Sequence, residues 1–245
     1  MLQYRRFRGA RDSMRMMVAG ATGYVGRHVV TAARKSGHDV IAHVRPGSAN
    51  GDRAAAELVA AGARVVRTPW TPDAWFRQLE LEPPDRLFLL LGTTAKRARA
   101  AHGAGGVDAS QGAIDLGLTM LAIGTARVAS PEAGLVYLSA LGASATGNEY
   151  LRVRATIEAA LVAGPNPFSV VRPSFIAGDD RDEARPGERF AAAAVDALCA
   201  VLRLAGQRQH AAALASITGG ELARILVDLA QQPLDRRVHK LDDFR

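Results

Sequence analysis

Cysteine is almost missing from this 245-residue sequence, and aromatic residues make up only 5% of it. The single cysteine, Cys199, excludes a disulfide within the chain and is typical of proteins from reducing compartments. Because Cys199 lies in the apolar stretch 191–204, we interpret it as a small buried hydrophobic residue rather than a nucleophile. The histidines are scattered without metal-ligand spacing, so we expect no metal site.

Long hydrophobic runs are missing as well. No apolar run approaches the ~20 residues that a helix needs to cross a bilayer, and residues 1–13 contain no apolar segment of signal-peptide length. We therefore expect a cytoplasmic protein with no membrane partner. The hydrophobic share of 48% and charged share of 22% are typical of a soluble globular chain.

The charge is unbalanced, with a formal net charge of +7. Part of the excess lies in residues 1–13, which we interpret as a disordered basic tail, and residues 14–245 are then a single domain. Elsewhere the arginines are spread singly and have few aromatic neighbours, so we expect no nucleic-acid partner.

Short apolar runs alternate with helical periodicity along most of the chain. The predicted strands cover 16–20, 39–44, 63–67, 86–91, 135–139 and 168–171, and the predicted helices cover 23–36, 52–62, 73–79, 107–129 and 149–162. Such alternation builds a parallel sheet with right-handed crossovers. The predicted fold class is α/β, a Rossmann-type doubly wound parallel sheet.

After residue 172 the alternation weakens. We expect helices at 190–204 and 219–230 with a strand or loop between them. Residues 174–220 are then the main substrate-side elements, a small extension of the same domain.

A glycine-rich turn follows the first predicted strand and reads Gly20-Ala21-Thr22-Gly23-Tyr24-Val25-Gly26. In this interpretation Gly20 permits the sharp turn, Gly23 lets the backbone approach a diphosphate, and Gly26 lets the helix pack close to the strand. The N–H groups of the helix N-terminus would then bind the phosphates, with Thr22 adding a hydroxyl. The alternative is a plain glycine-rich turn, but a strand before it and a helix after it favour dinucleotide binding.

The residue that ends the second predicted strand indicates which dinucleotide binds. An NAD site favours Asp or Glu there, whereas this chain has Arg45, which suits the 2′-phosphate of NADP(H). We therefore predict NADP(H) as the preferred cofactor, with NAD(H) as the alternative. An ordinary solvated arginine is the competing interpretation of Arg45.

The sequence resembles the atypical short-chain dehydrogenases of the NmrA-like type, in particular the branch of the HIV Tat-interacting oxidoreductase-like tumour suppressor and its bacterial relatives. Besides the glycine turn, the resemblance rests on six further motifs. They are Leu91-Gly92-Thr93-Thr94 with Lys96, Val107-Asp108, Ser139-x-x-Gly142-Ala143, Tyr150-x-x-x-Arg154 with Glu158, Arg172-Pro173, and Arg185-Pro186-Gly187-Glu188.

The resemblance implies the roles of several residues. Ser139 would orient a carbonyl or hydroxyl group, Tyr150 would exchange a proton with it, and the residue four positions after the tyrosine would hold the nicotinamide ribose. The implied cofactor contacts are Leu91, Gly92, Thr93, Thr94, Tyr150, Arg154 and Pro173, besides Gly20, Thr22, Gly23, Tyr24, Val25, Gly26 and Arg45.

Position 154 departs from the family pattern, because the expected lysine is an arginine. Tyr150 and Arg154 are four residues apart on one helix face that Ile157 and Leu161 continue, so we expect both to point inward. Arginine keeps the charge but not the geometry of lysine. Three alternatives stay open: Arg154 supports weak or altered reduction, it supports cofactor binding alone, or Tyr150 is an ordinary packed tyrosine.

A second departure concerns the third strand, where many relatives place an Asp that contacts the adenine. Here the strand runs into Thr68-Pro69-Trp70. Three alternatives follow: the base is contacted by Thr68, by backbone groups, or by no group at this position.

Two functions remain at this point. One is an NADP(H)-dependent oxidoreductase that uses Ser139, Tyr150 and Arg154 on a small carbonyl or hydroxyl compound. The other is a non-catalytic NADP(H)-binding regulatory or scaffold protein. We expect a monomer or homodimer, and the sequence does not specify the small-molecule substrate.

Overall fold

The computed structural model describes residues 13–48, 50–92, 111–174, 176–177 and 216–244. In these residues the strands are β1 (Arg15–Ala19), β2 (Asp39–His43), β3 (Arg64–Val66), β4 (Arg86–Leu89), β5 (Gly134–Leu138), β6 (Phe168–Arg172), β7 (Ile176–Ala177), β8 (Ile217–Thr218) and β9 (Arg237–Lys240). The helices are α1 (Tyr24–Lys35), α2 (Gly51–Ala60), α3 (Pro72–Leu81), α4 (Gln111–Ala129), α5 (Glu149–Ala163) and α6 (Gly219–Ala230), with a 3-10 turn at Leu241–Phe244.

Seven of the described strands form one parallel sheet in the order β3-β2-β1-β4-β5-β6-β9, and β7 pairs with β8 apart from it. The strand order reverses between β1 and β4, so the chain leaves their carboxyl ends toward opposite faces and a crevice opens there. The predicted α/β Rossmann-type fold is confirmed.

Strand β1, in the middle of the sheet, is buried on both faces, as a parallel sheet covered by helices requires. Met16 and Val18 face a core shared with α1 and α6, whereas Met17 and Ala19 face a second core with α3, α4 and α5. The continuous apolar run of β1 follows from this double burial.

Within the described residues, the bounds of the predicted elements agree with the observed ones to within two residues, and α6 was predicted with its observed bounds. The predicted start of the fourth helix at 107–110 and the predicted helix at 190–204 lie outside the described residues, as do residues 1–12 of the predicted tail. Strand β9 was not predicted. Of its four side chains only His239 is buried, so it presents no apolar run.

Asp235 and Arg236, which precede β9, form hydrogen bonds with β6 and with residues at the carboxyl end of α5. Asp235 accepts hydrogen bonds from Ser169 Oγ and His239 Nε2, both at 3.1 Å. Arg236, whose φ of 57° lies in the left-handed region, donates to the carbonyls of Asn166 and Gly164 at 2.8 and 2.9 Å. Arg236 therefore satisfies carbonyl groups at the carboxyl end of α5, where intrahelical donors run out.

In the described ranges, no helix is long and apolar enough to cross a membrane. Nor do three or more His, Cys, Asp or Glu side chains of those ranges come together in a way that could hold a metal ion.

Candidate functional site

The glycine turn connects β1 to α1 at the switch point of the sheet. Gly20 has a φ of 93°, and a Cβ there would lie 2.6 Å from the carbonyl oxygen of Leu90 at the end of β4. Gly23 N–H donates to the Gly20 carbonyl at 3.0 Å and closes the turn. Position 20 therefore requires glycine both for its backbone conformation and for the close approach of β4.

Gly26 determines how close α1 lies to β1. A Cβ at this position would lie 2.1 Å from the Gly20 carbonyl oxygen and 2.9 Å from Ala21 Cα. The close helix–strand packing predicted for Gly26 and the turn predicted for Gly20 are therefore confirmed. The diphosphate contact itself stays a prediction.

The N-terminus of α1 is bare. Its N-cap is Gly23, no described side chain caps it, and its first turn contains no acidic residue. By contrast, Thr71, Asn148 and Thr218 cap α3, α5 and α6 with their side chains, and α2, which also lacks a side-chain cap, has Asp52 in its first turn. An uncapped helix N-terminus presents backbone N–H groups and a positive dipole end, which favour an anion.

The other side chains of the turn are buried or partly buried, and Val25 and Tyr24 contact other parts of the protein. Val25 packs in the core, and Thr22 is partly buried. The Tyr24 hydroxyl donates to the Ala177 carbonyl at 3.3 Å, and the Tyr24 ring packs edge-on against His28. Contacts of Tyr24 and Val25 to a cofactor would therefore come mainly from their backbone.

Arg45 lies at the same edge of the sheet as the turn. His43, the last residue of β2, is in register with Ala19, which immediately precedes Gly20. Arg45 follows two residues later and is exposed. A cation is thus available next to the glycine turn, as the prediction for a 2′-phosphate requires.

The connection from β3 to α3 is a packed turn. The Thr68 hydroxyl donates to Gln78 Oε1 at 3.1 Å, and the Thr68 carbonyl accepts from His43 Nε2 at 2.7 Å. Burial lowers the pKa of His43, so its ring is neutral near pH 7. The Thr68 hydroxyl, one of the groups predicted to contact adenine, already has an internal partner.

Arg154 lies near the carboxyl ends of β4 and β5, and only 5% of it is exposed. Its Nη1 donates to Tyr137 Oη at 3.0 Å, to the Leu138 carbonyl at 3.2 Å and to the Leu91 carbonyl at 3.4 Å. A Cβ on Gly92 would lie 3.6 Å from Nη2. Arg154 therefore links the carboxyl ends of β4 and β5 from beneath the crevice.

A buried carboxylate accompanies this cation. Asp115 on α4 lies 3.8 Å from Arg154 Nη2, and both side chains are buried. Burial lowers the pKa of Arg154, but Tyr137, Tyr150 and Asp115 outweigh it and raise that pKa above its ordinary value. Burial also raises the pKa of Tyr137 to about 12, although Arg154 opposes the shift. Arg154 is thus charged and Tyr137 neutral at any ordinary pH.

Ser139 belongs to a second polar network. Its hydroxyl donates to Glu158 Oε1 at 2.5 Å, and Ser139 is buried. Arg172 donates to the same carboxylate through Nε at 2.9 Å and Nη2 at 2.5 Å. The hydrogen bond to Glu158 raises the pKa of Arg172. Because its hydrogen points to Glu158, Ser139 offers a ligand only its acceptor lone pairs.

Tyr150 differs from the prediction. It lies in the first turn of α5, and 44% of it is exposed, so the expectation that it points inward was wrong, whereas the same expectation for Arg154 was correct. The first turn of α5 projects beyond the edge of the core that buries Ile157 and Leu161. The Arg154 guanidinium lies over the Tyr150 ring, 4.9 Å from its centroid, which is a cation–π distance.

The structure brings Leu91, Gly92, Tyr150 and Arg154 together and places Ser139 in the adjacent network. Pro173 is buried, and its carbonyl accepts from Leu141 N–H at 2.8 Å. Several residues named from the resemblance lie outside the described residues: Thr93, Thr94, Lys96, Val107, Asp108 and 185–188.

Sequence reasoning missed Asp115 and Tyr137, and it gave Glu158 and Arg172 no role. A lone acid inside the apolar stretch Ala113–Leu118 was a usable signal for Asp115, because an acid that is buried in a core needs a partner. Tyr137 gave no such signal, since an aromatic residue in a buried strand is ordinary.

The parallel sheet, its switch point and the glycine turn define an α/β domain of the Rossmann type. Within that class, residues 16–139 match the model of the NAD dependent epimerase/dehydratase family, and the chain belongs to this family.

Three individual proteins are similar to the chain. The divinyl chlorophyllide a 8-vinyl-reductase of Oryza sativa subsp. indica, a chloroplastic protein, is 33% identical over 167 residues, which are 65% of this chain and 39% of that protein. The chain thus spans about two fifths of that relative's length.

Two solved structures share the fold. The structure of BdcA in complex with NADPH has a TM-score of 0.63 and 15% identity, and the match covers 94% of this chain and 93% of that one. A blue fluorescent protein from a metagenomic library, in complex with NADPH, has a TM-score of 0.59 and 19% identity, with 93% and 94% covered.

Proposed function

We propose that this chain binds NADP(H) at the carboxyl ends of β1 and β4 and is an oxidoreductase acting on a small carbonyl or hydroxyl compound. The observation that carries the proposal is the bare N-terminus of α1, held against β1 by the absence of a Cβ at Gly26. Family membership supports it, and so does NADPH in two structures of the same fold.

The residues present fit a dinucleotide phosphate. A side chain at Gly20 or Gly26 would fill the space that the turn uses, and the backbone N–H groups of α1 lack a competing acidic side chain. Arg45, exposed at the end of β2, would pair with the 2′-phosphate through charge-assisted hydrogen bonds. NADP(H) is therefore the preferred cofactor in this proposal, and NAD(H) the alternative.

At the reaction end, the bound nicotinamide would supply or accept the hydride. Tyr150 would exchange the proton with the substrate oxygen, because its ring lies at the surface beside the Arg154 guanidinium. Arg154 would hold positive charge beneath the site. Ser139 would accept a hydrogen bond, since its own hydrogen is directed to Glu158.

A specific observation favours a second candidate, a non-catalytic NADP(H)-binding regulatory or scaffold protein. Arg154 and Ser139 are both hydrogen-bonded to protein groups, and Tyr150 is not held in the core. In that case the dinucleotide would bind at the glycine turn and no turnover would follow.

The finer family placement is also a proposal. The NmrA-like branch of the Tat-interacting tumour suppressor rests on the sequence motifs, of which Ser139, Tyr150, Glu158 and Arg172 lie together around α5. We further propose a cytoplasmic monomer or homodimer with no nucleic-acid or membrane partner.

Replacing Tyr150 by Phe tests the choice between enzyme and non-catalytic protein. NADPH binding is measured from its fluorescence, and NADPH oxidation is then followed over a panel of small aldehydes, ketones and quinones. For the enzyme, Tyr150→Phe lowers turnover by roughly 100-fold, because it removes the proton donor, and leaves NADPH affinity within about threefold. Tight NADPH binding without turnover by the native chain supports the regulatory protein instead. If neither NADPH nor NADH binds at millimolar concentration, both proposals are wrong.

A further inference from the structure

Three aromatic rings pack together where β2 and β3 end. The Trp70 ring stacks on the Trp75 ring with centroids 4.3 Å apart and an interplanar angle of 20°. The His43 ring lies 4.9 Å from Trp70 and 5.0 Å from Trp75. Trp75 and His43 are buried, whereas Trp70 is partly exposed. Trp70 is thus the one of these three rings that reaches the surface.

The position of Trp70 relates it to the nucleotide crevice. Trp70 lies in the connection from β3 to α3, at the carboxyl edge of the sheet. Its neighbour His43 ends β2, in register with Ala19, and Arg45 follows His43 by two residues. From the glycine turn toward the edge of the sheet, the order at this rim is therefore the turn, Arg45 and Trp70. If the 2′-phosphate of an adenosine pairs with Arg45, Trp70 is the aromatic ring on the far side of Arg45 from the turn that its base could contact.

The polar groups around Trp70 are engaged elsewhere. The Thr68 hydroxyl donates to Gln78, and the Thr68 carbonyl bonds with His43. The Arg67 guanidinium pairs with Asp52 at 2.5 Å. Residues 67–71 include no carboxylate, so a hydrogen bond from the adenine amino group to an acid at the end of the third strand does not form.

We propose that Trp70 is the adenine-binding residue of this chain and that it holds the base by contact with its indole ring. The inference rests on the proposed dinucleotide function. Packing against Trp75 and His43 fixes the ring before a ligand arrives, so little side-chain entropy is lost on binding. A base stacked on an aromatic ring gains substantial affinity without any hydrogen bond to its edge.

The chain contains two tryptophans, so each serves as the control for the other. The probe is adenosine 2′,5′-bisphosphate, which carries the base and the 2′-phosphate but no nicotinamide. Its binding is measured by calorimetry and by tryptophan emission for the native chain, Trp75→Phe and Trp70→Phe. The inference predicts saturable quenching in the native chain and in Trp75→Phe, and little change of emission in Trp70→Phe.

A second measurement uses affinity. Trp70→Ala should weaken adenosine 2′,5′-bisphosphate and NADPH by the same factor, about tenfold, because the base contact is common to both. If Trp75→Phe does not fold, the contrast between the native chain and Trp70→Phe carries the same information.

These measurements distinguish a failure of the role proposed for Trp70 from a failure of the proposed dinucleotide binding. Calorimetric binding with equal quenching in both single-tryptophan variants, or with unchanged affinity in Trp70→Ala, overturns the role of Trp70 and leaves the dinucleotide function standing. No binding of the bisphosphate and none of NADPH to the native chain overturns both.

Discussion

The two ends of the crevice differ in how far their polar groups are hydrogen-bonded to other protein groups. At the end formed by β1 and α1, the N-terminus of α1 begins at Gly23 without a cap from any described side chain. At the end formed by β4, β5 and α5, Arg154 donates to three protein acceptors and faces Asp115, and Ser139 donates to Glu158. One end has a helix N-terminus without a side-chain cap, whereas most polar groups at the other end have protein partners and Arg154 Nε has none.

This difference separates binding from chemistry. The backbone N–H groups of this helix terminus are placed by packing, which requires glycine at positions 20 and 26. Side-chain chemistry requires that a group remain available to the substrate. The structure therefore supports dinucleotide binding more strongly than it supports any particular reaction, and variants at the two ends should behave differently.

The largest effect is expected at Gly26. A Cβ in Gly26→Ala would lie 2.1 Å from the Gly20 carbonyl oxygen, so α1 must move away from β1. We expect the free energy of unfolding to fall by about 3 kcal/mol. The N–H groups of α1 move with the helix, so NADPH affinity should fall by roughly 100-fold. Thermal unfolding and an NADPH titration measure both.

Gly124 supplies the matched control. It also lies inside a helix, α4, but a Cβ there meets no atom within 4 Å. Gly124→Ala should therefore raise stability by about 0.5 kcal/mol and leave NADPH affinity unchanged. Equal behaviour of the two variants would contradict the role given to the α1–β1 contact.

The next effect is expected at Arg154. Arg154→Gln removes the cation beside the buried Asp115, and an acid that is buried without its partner is strongly unfavourable. We expect a loss of about 3 kcal/mol in the free energy of unfolding, measured by urea denaturation.

Arg152 on the same helix is the control, because it is exposed. Arg152→Gln should change stability by less than about 0.5 kcal/mol. If both variants unfold alike, the internal pairing of Arg154 contributes nothing. NADPH affinity, measured well below the unfolding transition, then shows whether Arg154 also touches the ribose.

A smaller and more selective effect is expected at Arg45. Arg45→Glu places a negative charge where the 2′-phosphate would lie, so NADPH should bind roughly 100-fold more weakly and NADH less than about threefold. Arg77→Glu in α3 makes the same change of net charge at another exposed position and should leave both affinities unchanged. An equal loss of NADPH and NADH binding in Arg45→Glu would remove the basis for NADP(H) preference.

Most of the fold was predictable because it depends on local periodicity. Strand β1 is apolar on both faces, and α6 has a regular apolar stripe that starts at a Thr–Glu capping box, Thr218 and Glu221. Strand β9 was not predictable in this way. Its pairing with β6 is nonlocal, and its exposed side chains are polar or charged except for Val238.

The candidate site was predictable only in part. The glycine turn is local, so its spacing specifies its geometry. The pairing of Arg154 with Asp115 and Tyr137 joins three separate elements, and no sequence period reveals it. The inward direction expected for Tyr150 was wrong because helical spacing fixes the face of a residue but not where the core beneath that face ends.

Arg236 immediately precedes β9, and its guanidinium reaches the carboxyl end of α5. Arg236 donates to the carbonyls of Gly164 and Asn166, just beyond the carboxyl end of the helix that carries Tyr150 and Arg154, and its backbone lies in a left-handed conformation that arginine rarely adopts. Without these hydrogen bonds, the carbonyl groups at the carboxyl end of α5 would lose the donors that Arg236 supplies. The helix of the candidate site is thus held at its far end by a residue outside that site.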